Sequence, residues 1–215
     1  MKKIFAGLLL SLSLVFGAGS SYVKSDVGQF IDFSKCNNVI DKNIYSVCYD
    51  EDNNRVMSGW SIIDGSKLNE GNLKGRPAFY KDEKWPTYNV EDIQLPNHRG
   101  HTFANDNNYD YSIKTLNTTY NMLNITPMHE SLNIGNWRKI ENRGNVIAKK
   151  VGEVISITIV EYFDAPRYDI KNYPSSFTRI YLTDDESECY KAYNNDRKSD
   201  KLIDLKVDCS SLLIK

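Results

Sequence analysis

The sequence predicts a mixed α+β fold with a mainly antiparallel sheet, and three observations carry that prediction. Asn43 to Tyr49 and Val56 to Ile63 are rich in β-branched and aromatic residues and flank the turn-forming Asp50-Glu51-Asp52-Asn53-Asn54, the pattern of a β-hairpin. Ile155, Ile157 and Ile159 alternate with Ser156, Thr158 and Val160, the period of two expected of a half-buried strand. Leu132 to Arg143 has no internal Pro, carries Leu132, Trp137 and Ile140 at near-helical spacing, and runs into Gly144, which predicts a helix stopping there.

The elements follow in chain order. Met1-Lys2-Lys3 is basic, Ile4 to Phe16 is an apolar run of 13 residues, and Gly17-Ala18-Gly19-Ser20 is a run of small residues suited to a signal peptidase. Residues 1–20 are therefore expected to be a cleaved secretory signal. The apolar run is too short to cross a hydrocarbon core, which takes roughly 20 residues, and no other stretch is longer, so no stable membrane association is expected. Residues 21–215 are expected to form a single secreted or periplasmic domain, since no repeat, linker or low-complexity tract interrupts them and 14 Tyr and 8 Phe argue against disorder. Cys36, Cys48, Cys189 and Cys209 are even in number in an oxidising compartment, so disulfides are expected; of three possible pairings, proximity favours Cys36 with Cys48 and Cys189 with Cys209. Leu68 to Gln94 holds Gly71, Gly75, Pro77 and Pro86 and reads as an irregular connection in which Phe79, Tyr80 and Trp85 supply packing. Ser176 to Leu182 is expected to be a further strand.

Charge is distributed unevenly. With Lys2 and Lys3 removed, 25 basic and 28 acidic side chains leave the mature chain at −3. Residues 21–96 carry 9 basic and 12 acidic side chains, residues 97–150 carry 7 and 4, and residues 151–215 carry 9 and 12, so the middle segment alone is positive. A local basic surface on an acidic body fits transient handling of phosphates better than tight non-specific binding, which draws on many Lys and Arg contacts.

That same segment holds all three histidines, His98, His101 and His129. A neutral imidazole takes a proton near neutral pH, an arginine grips phosphate bidentately, and an amide oxygen binds a hard divalent cation; the combination points to phosphodiester chemistry. On a helix, Asn133, Trp137 and Glu141 lie at i, i+4 and i+8 along one side, so Asn133 and Glu141 can face a common site that His101 reaches from a preceding strand. Mg²⁺ suits so sparse a site, because it keeps most of its waters and needs only one or two protein oxygens.

These residues carry a resemblance. His98-Arg99-Gly100-His101 resembles the D-R-G-H signature of the DNA/RNA non-specific endonucleases of the ββα-metal (His-Me finger) superfamily. Asn124-Ile125-Thr126-Pro127 with Leu132-Asn133-x-Gly135-x-Trp137-x-x-x-Glu141 resembles that family's second signature. The resemblance implies His101 as general base, Arg99 as a phosphate contact, Asn133 as the Mg²⁺ ligand with Mn²⁺ as substitute, and Glu141 as a partner of the cation's waters. It implies a nucleic-acid substrate, DNA and also RNA, cut to leave 5′ phosphates. A further basic residue is expected near the helix end, a role for which Arg138 and Arg143 compete. Two positions depart from the family's pattern: His98 stands where Asp is usual and Met128 where Gln is usual.

Each residue also has a plainer role to weigh: His101 as a turn residue, Asn133 as a helix cap, Glu141 as a solvated charge. Two other functions fit parts of the sequence. A zinc hydrolase using His98, His101 and His129 lacks the H-E-x-x-H helix. A disulfide-stapled secreted binding protein, an inactive descendant of the nuclease fold, would tolerate the changes at His98 and Met128.

Overall fold

The computed structural model describes residues 24–69, 73, 75–195 and 200–214; the expected signal segment, residues 1–20, lies outside them. The strands are β1 (Asn38–Asp41), β2 (Tyr45–Asp50), β3 (Arg55–Asp64), β4 (Asn97–His101), β5 (Ile125–His129), β6 (Glu153–Tyr162), β7 (Pro174–Leu182), β8 (Ser187–Tyr193) and β9 (Lys206–Val207). The helices are α1 (Lys24–Val27), α2 (Ile113–Thr119), a π-helical turn over Leu132–Trp137, and α3 (Arg138–Val151). A fully antiparallel seven-stranded sheet runs in the order β1-β2-β3-β6-β7-β8-β9, and β4 pairs with β5 in a separate two-stranded ribbon. The fold is α+β with a mainly antiparallel sheet, as the sequence predicts.

The predicted hairpin is β2–β3, in register from Tyr45 opposite Ser61 to Asp50 opposite Arg55. Its turn closes because Asp50 takes the Asn53 backbone N–H at 3.2 Å and the Arg55 Nε–H at 3.0 Å, while Asn54 adopts the left-handed region (φ 52°) that Asn tolerates. After β3 the chain leaves the sheet, builds β4, β5 and the helices, and returns as β6 beside β3.

The sheet has two covered faces. Ile157, Ile180, Trp60 and Cys48 pack against Val27, Phe30 and Ile31 of the N-terminal segment. Both predicted cystines lie on this side, Cys36–Cys48 and Cys189–Cys209, with Cα separations of 5.1 and 5.4 Å. The other face, with Val154, Val160, Phe177 and Tyr181, packs against Leu132, Trp137, Ile140, Ile147 and Ala148 of the helical segment.

This second layer corrects the expectation of a half-buried strand at 155–160. Ser156 and Thr158 are fully buried, because the site-bearing segment docks over them: Thr158 Oγ1 donates to Thr102 O of that segment at 2.8 Å, and Ser156 Oγ accepts from Arg179 of the neighbouring β7. The predicted helix end is also corrected. α3 runs through Gly144 to Val151, and the left-handed closing residue is Gly152 (φ 98°), whose N–H bonds Ala148 O at 2.8 Å. Gly144 serves close packing instead: a Cβ there would lie 2.5 Å from the Tyr181 ring, whose hydroxyl donates to Ile140 O. In the connection, Trp85 packs on Tyr49 (5.3 Å) and Phe79 on Tyr120 (4.8 Å), whereas Tyr80 is exposed and joins the fold through its backbone, pairing with Tyr120 and Met122.

Candidate active site

The two signatures meet in space because β4 and β5 pair antiparallel, Asn97 opposite His129 and His101 opposite Ile125, and the helix follows β5 after Glu130 and Ser131. The segment between the two strands is tied back by Asn124, wholly buried. Its Oδ1 accepts the N–H groups of Phe103 and Ala104, both at 2.9 Å, and its Nδ2 donates to Ala104 O and Thr119 O. Asn124 therefore fixes the turn directly after His101. Thr102 Oγ1 bonds Thr126 Oγ1 at 2.7 Å across the ribbon, and Trp137 Nε1 donates to His101 O at 3.0 Å. Asn124, Thr126 and Trp137 thus hold the end of β4 from three different places in the chain.

A cleft of about 550 Å³ opens above this frame, lined among others by His98, Arg99, His101, Asn133, Arg138 and Glu141. The His101 ring stands edge-on to Tyr120 (5.0 Å) and near Phe79 (6.0 Å). Its Nε2 is buried with no hydrogen-bond partner among the described residues. Burial pushes the imidazole down from 6.5 to about 4, with the Asp106 carboxylate opposing the shift and the Arg76 guanidinium adding to it. The ring is consequently neutral at physiological pH, with one nitrogen unspoken for.

Asn133 does not cap the helix; the N-cap residue is Ser131, and the Asn133 amide nitrogen lies 3.2 Å from His98 Nδ1. Its Oδ1 sits against Gly100, where a Cβ would approach to 3.1 Å. The wider π turn advances less per residue than the 100° of an α-helix, which reduces the angular drift between Asn133 and Glu141 and brings both onto the cleft wall. The Glu141 carboxylate accepts no hydrogen bond from the described residues, and burial pushes it up to about 8, against the pull of Arg179 and Arg138 and with added repulsion from Asp106. An amide oxygen and an unpaired carboxylate on one wall are hard oxygen donors of the kind that suit a hydrated divalent cation, so the residues fit such an ion.

The arginines separate. Arg99 reaches the cleft edge, fixed by an Nε–H bond to Val90 O at 3.0 Å and by the Phe79 ring 5.6 Å from its guanidinium. Arg138 lines the cleft, but Arg143 points away into an ion pair with Glu188 of β8, donating to both carboxylate oxygens, one at 2.8 Å. Tyr190 also donates to Glu188, at 2.5 Å, and Arg143 leads in holding that carboxyl down at about 2. The three histidines are not brought together. His129 pairs with Asn97 at the far end of the ribbon and bonds Ser131 Oγ through Nδ1 at 2.6 Å, which leaves the zinc reading without a ligand set.

Sequence reasoning missed Asp106 and Arg76. Asp106 is buried at the cleft, takes the Tyr120 hydroxyl at 2.9 Å, and faces Arg76 at 3.8 Å. No local pattern marks either; Asp106 sits in a polar Asn-Asp-Asn-Asn run that reads as an ordinary turn.

A strand pair followed by a helix, carrying a neutral histidine, two cleft arginines and oxygen donors, has the architecture of a ββα motif. The chain belongs to the DNA/RNA non-specific endonuclease family, whose model matches residues 30–212. Among solved structures it is similar to the one described as "Crystal structure of the EndoG/EndoGI complex: Mechanism of EndoG inhibition", with a TM-score of 0.69 at 15% identity over 91% of each chain, a likeness of fold. No curated protein matches.

Proposed function

We propose that this protein is an exported, divalent-cation-dependent endonuclease, one nuclease domain over residues 21–215, that hydrolyses phosphodiester bonds in DNA and RNA without sequence preference and leaves 5′ phosphates. The observation that carries this reading is His101, a half-buried imidazole that lines the same cleft as Arg99 and Arg138 and is kept neutral by desolvation beside Tyr120. The His101 imidazole accepts a proton from a water as the water oxygen attacks phosphorus; the P–O3′ bond breaks, the phosphate stays on the 5′ side, and the 3′ oxygen takes a proton from solvent and leaves as a hydroxyl. Arg99, held in one pose by Val90 O and Phe79, positions the phosphate, and Arg138 adds a second positive group in the same cleft. Asn133 would hold the cation, Mg²⁺ or Mn²⁺, with Glu141 beside it, and the ion would neutralise charge developing on the phosphate. Contacts of this kind go to phosphate, which carries no base information. The two cystines support an oxidising destination outside the cytoplasm.

The test is plasmid and RNA digestion by the mature protein in Mg²⁺ or EDTA, with Asn133→Ala alongside. Cleavage in Mg²⁺ only, lost in the variant and giving ends that ligate without prior phosphorylation, is expected. Nucleic acid left intact with every divalent cation would overturn the reading in favour of an inactive binding protein.

A further inference from the structure

We infer that His98 orients the Asn133 amide, and that it does so as a unit with Met128, the residue directly opposite it on the β4–β5 ribbon. This rests on the reading of Asn133 as a cation ligand, and it makes one feature of the two positions that depart from the family's signatures.

The geometry starts from the strand. Directly opposed residues of an antiparallel pair project from the same face, so His98, Met128 and Gly100 share one face of the ribbon, over which Asn133 lies. Met128 is fully buried and passes beneath Gly100: a Cβ on Gly100 would come within 2.6 Å of Met128 Cγ and closer still to Sδ. The same absent Cβ leaves room for Asn133 Oδ1. An amide group has two orientations in a given plane. With Nδ2 at 3.2 Å from His98 Nδ1, the nitrogen donates and Nδ1 accepts, which places the ring hydrogen of His98 on Nε2. The reverse orientation would turn the NH₂ group to where the oxygen now lies. Met128 supports the arrangement passively, because a thioether donates no hydrogen bond that could draw Oδ1 away. The ribbon face thus offers the amide one directional partner over an apolar floor, and His98 is a positioning residue acting through Asn133.

Two substitutions of matched shape separate this role from packing. In Asn the side-chain oxygen is two bonds from Cβ, as Nδ1 is in His, so His98→Asn keeps an acceptor in place; His98→Leu fills similar space without one. Mn²⁺ binding by the mature, disulfide-bonded chain, followed by electron paramagnetic resonance at matched folded concentration, should be little changed in His98→Asn. It should weaken about 10- to 100-fold in His98→Leu, the range seen when partners behind a metal ligand are removed, and be lost in Asn133→Ala. Equal affinities for His98→Leu and His98→Asn, with Asn133→Ala still defective, would overturn the role of His98 alone. Unimpaired Mn²⁺ binding by Asn133→Ala would overturn the ligand reading and this inference with it. Nitrogen-15 spectra of the wild-type histidines give a check that needs no variant: His98 should be the Nε2–H tautomer, and an Nδ1–H form would overturn the inference.

Discussion

The acid side of the pH profile is the sharpest consequence of how His101 is buried. Packing against Tyr120 and Phe79 removes water from the ring and lowers its pKa from 6.5 to about 4, so the base stays competent well below the usual histidine range. At pH 5.5 a base titrating near 4 is about 97% neutral, whereas one titrating at 6.5 is about 9% neutral, so kcat/KM at that pH differs about tenfold between the two cases. Stability moves with the same sign. The unfolded chain takes up this proton near 6.5 and the folded chain only near 4, so the histidine favours unfolding as pH falls through that window and is without effect above it. Initial rates on a fluorescent oligonucleotide, divided by the folded fraction from circular dichroism at each pH, isolate the catalytic term. The acid limb should lie well below 6.5, Asp106→Asn should move it lower by removing the carboxylate that opposes the shift, and His101→Ala should lose at least about 10²-fold in turnover. An acid limb centred at 6.5, or a His101→Ala enzyme with the same limb and rate, would refute burial of the base as the determining feature.

The rest concern the arginines, the cation and the cystines. Arg138→Ala should raise KM for DNA with little change in melting temperature. Arg143→Ala and Glu188→Gln should instead cost about 1–3 kcal/mol of stability after allowance for the partly exposed guanidinium, with KM unchanged; because Glu188 is held at about 2 against 4.5, that stability is present above pH 4.5 and fades as pH falls toward 2. Burial holds Glu141 at about 8, so at pH 7 the cation-free protein carries a proton there that cation binding should release. Calorimetry in two buffers of different ionisation enthalpy should detect about one proton in the wild type and none in Glu141→Gln, and equal heats in both buffers would refute it. Replacing Cys189 and Cys209, 20 residues apart, by Ser should cost about 3 kcal/mol in denaturant unfolding without altering kcat, and thiol titration of the unreduced, unfolded chain should find none free.

The legible part of this protein is the part written in short-range patterns. The β2–β3 hairpin follows from an Asp-Asn-rich turn between β-branched runs, the cystines follow from sequence proximity, and the site's His101 and Asn133 lie in signatures whose residues are neighbours in the chain. Partners supplied from far along the chain were not legible. The polar side of β6 reads as solvent-facing, because nothing near Ser156 and Thr158 announces that Thr102 and Arg179 will cover them. Arg138 and Arg143 look alike in the sequence, and only Glu188, 45 residues beyond Arg143, decides which one leaves the cleft. Gly144 has the look of a helix stop, yet Tyr181 uses its missing Cβ as a packing surface while Gly152 ends the helix. Asp106 reaches His101 only because the loop after β4 is folded back by Asn124 and Tyr120. Local propensity and spacing set which elements form and which groups can do chemistry; burial, and with it the protonation of His101 and Glu141, depends on what packs over them, which a linear sequence does not contain.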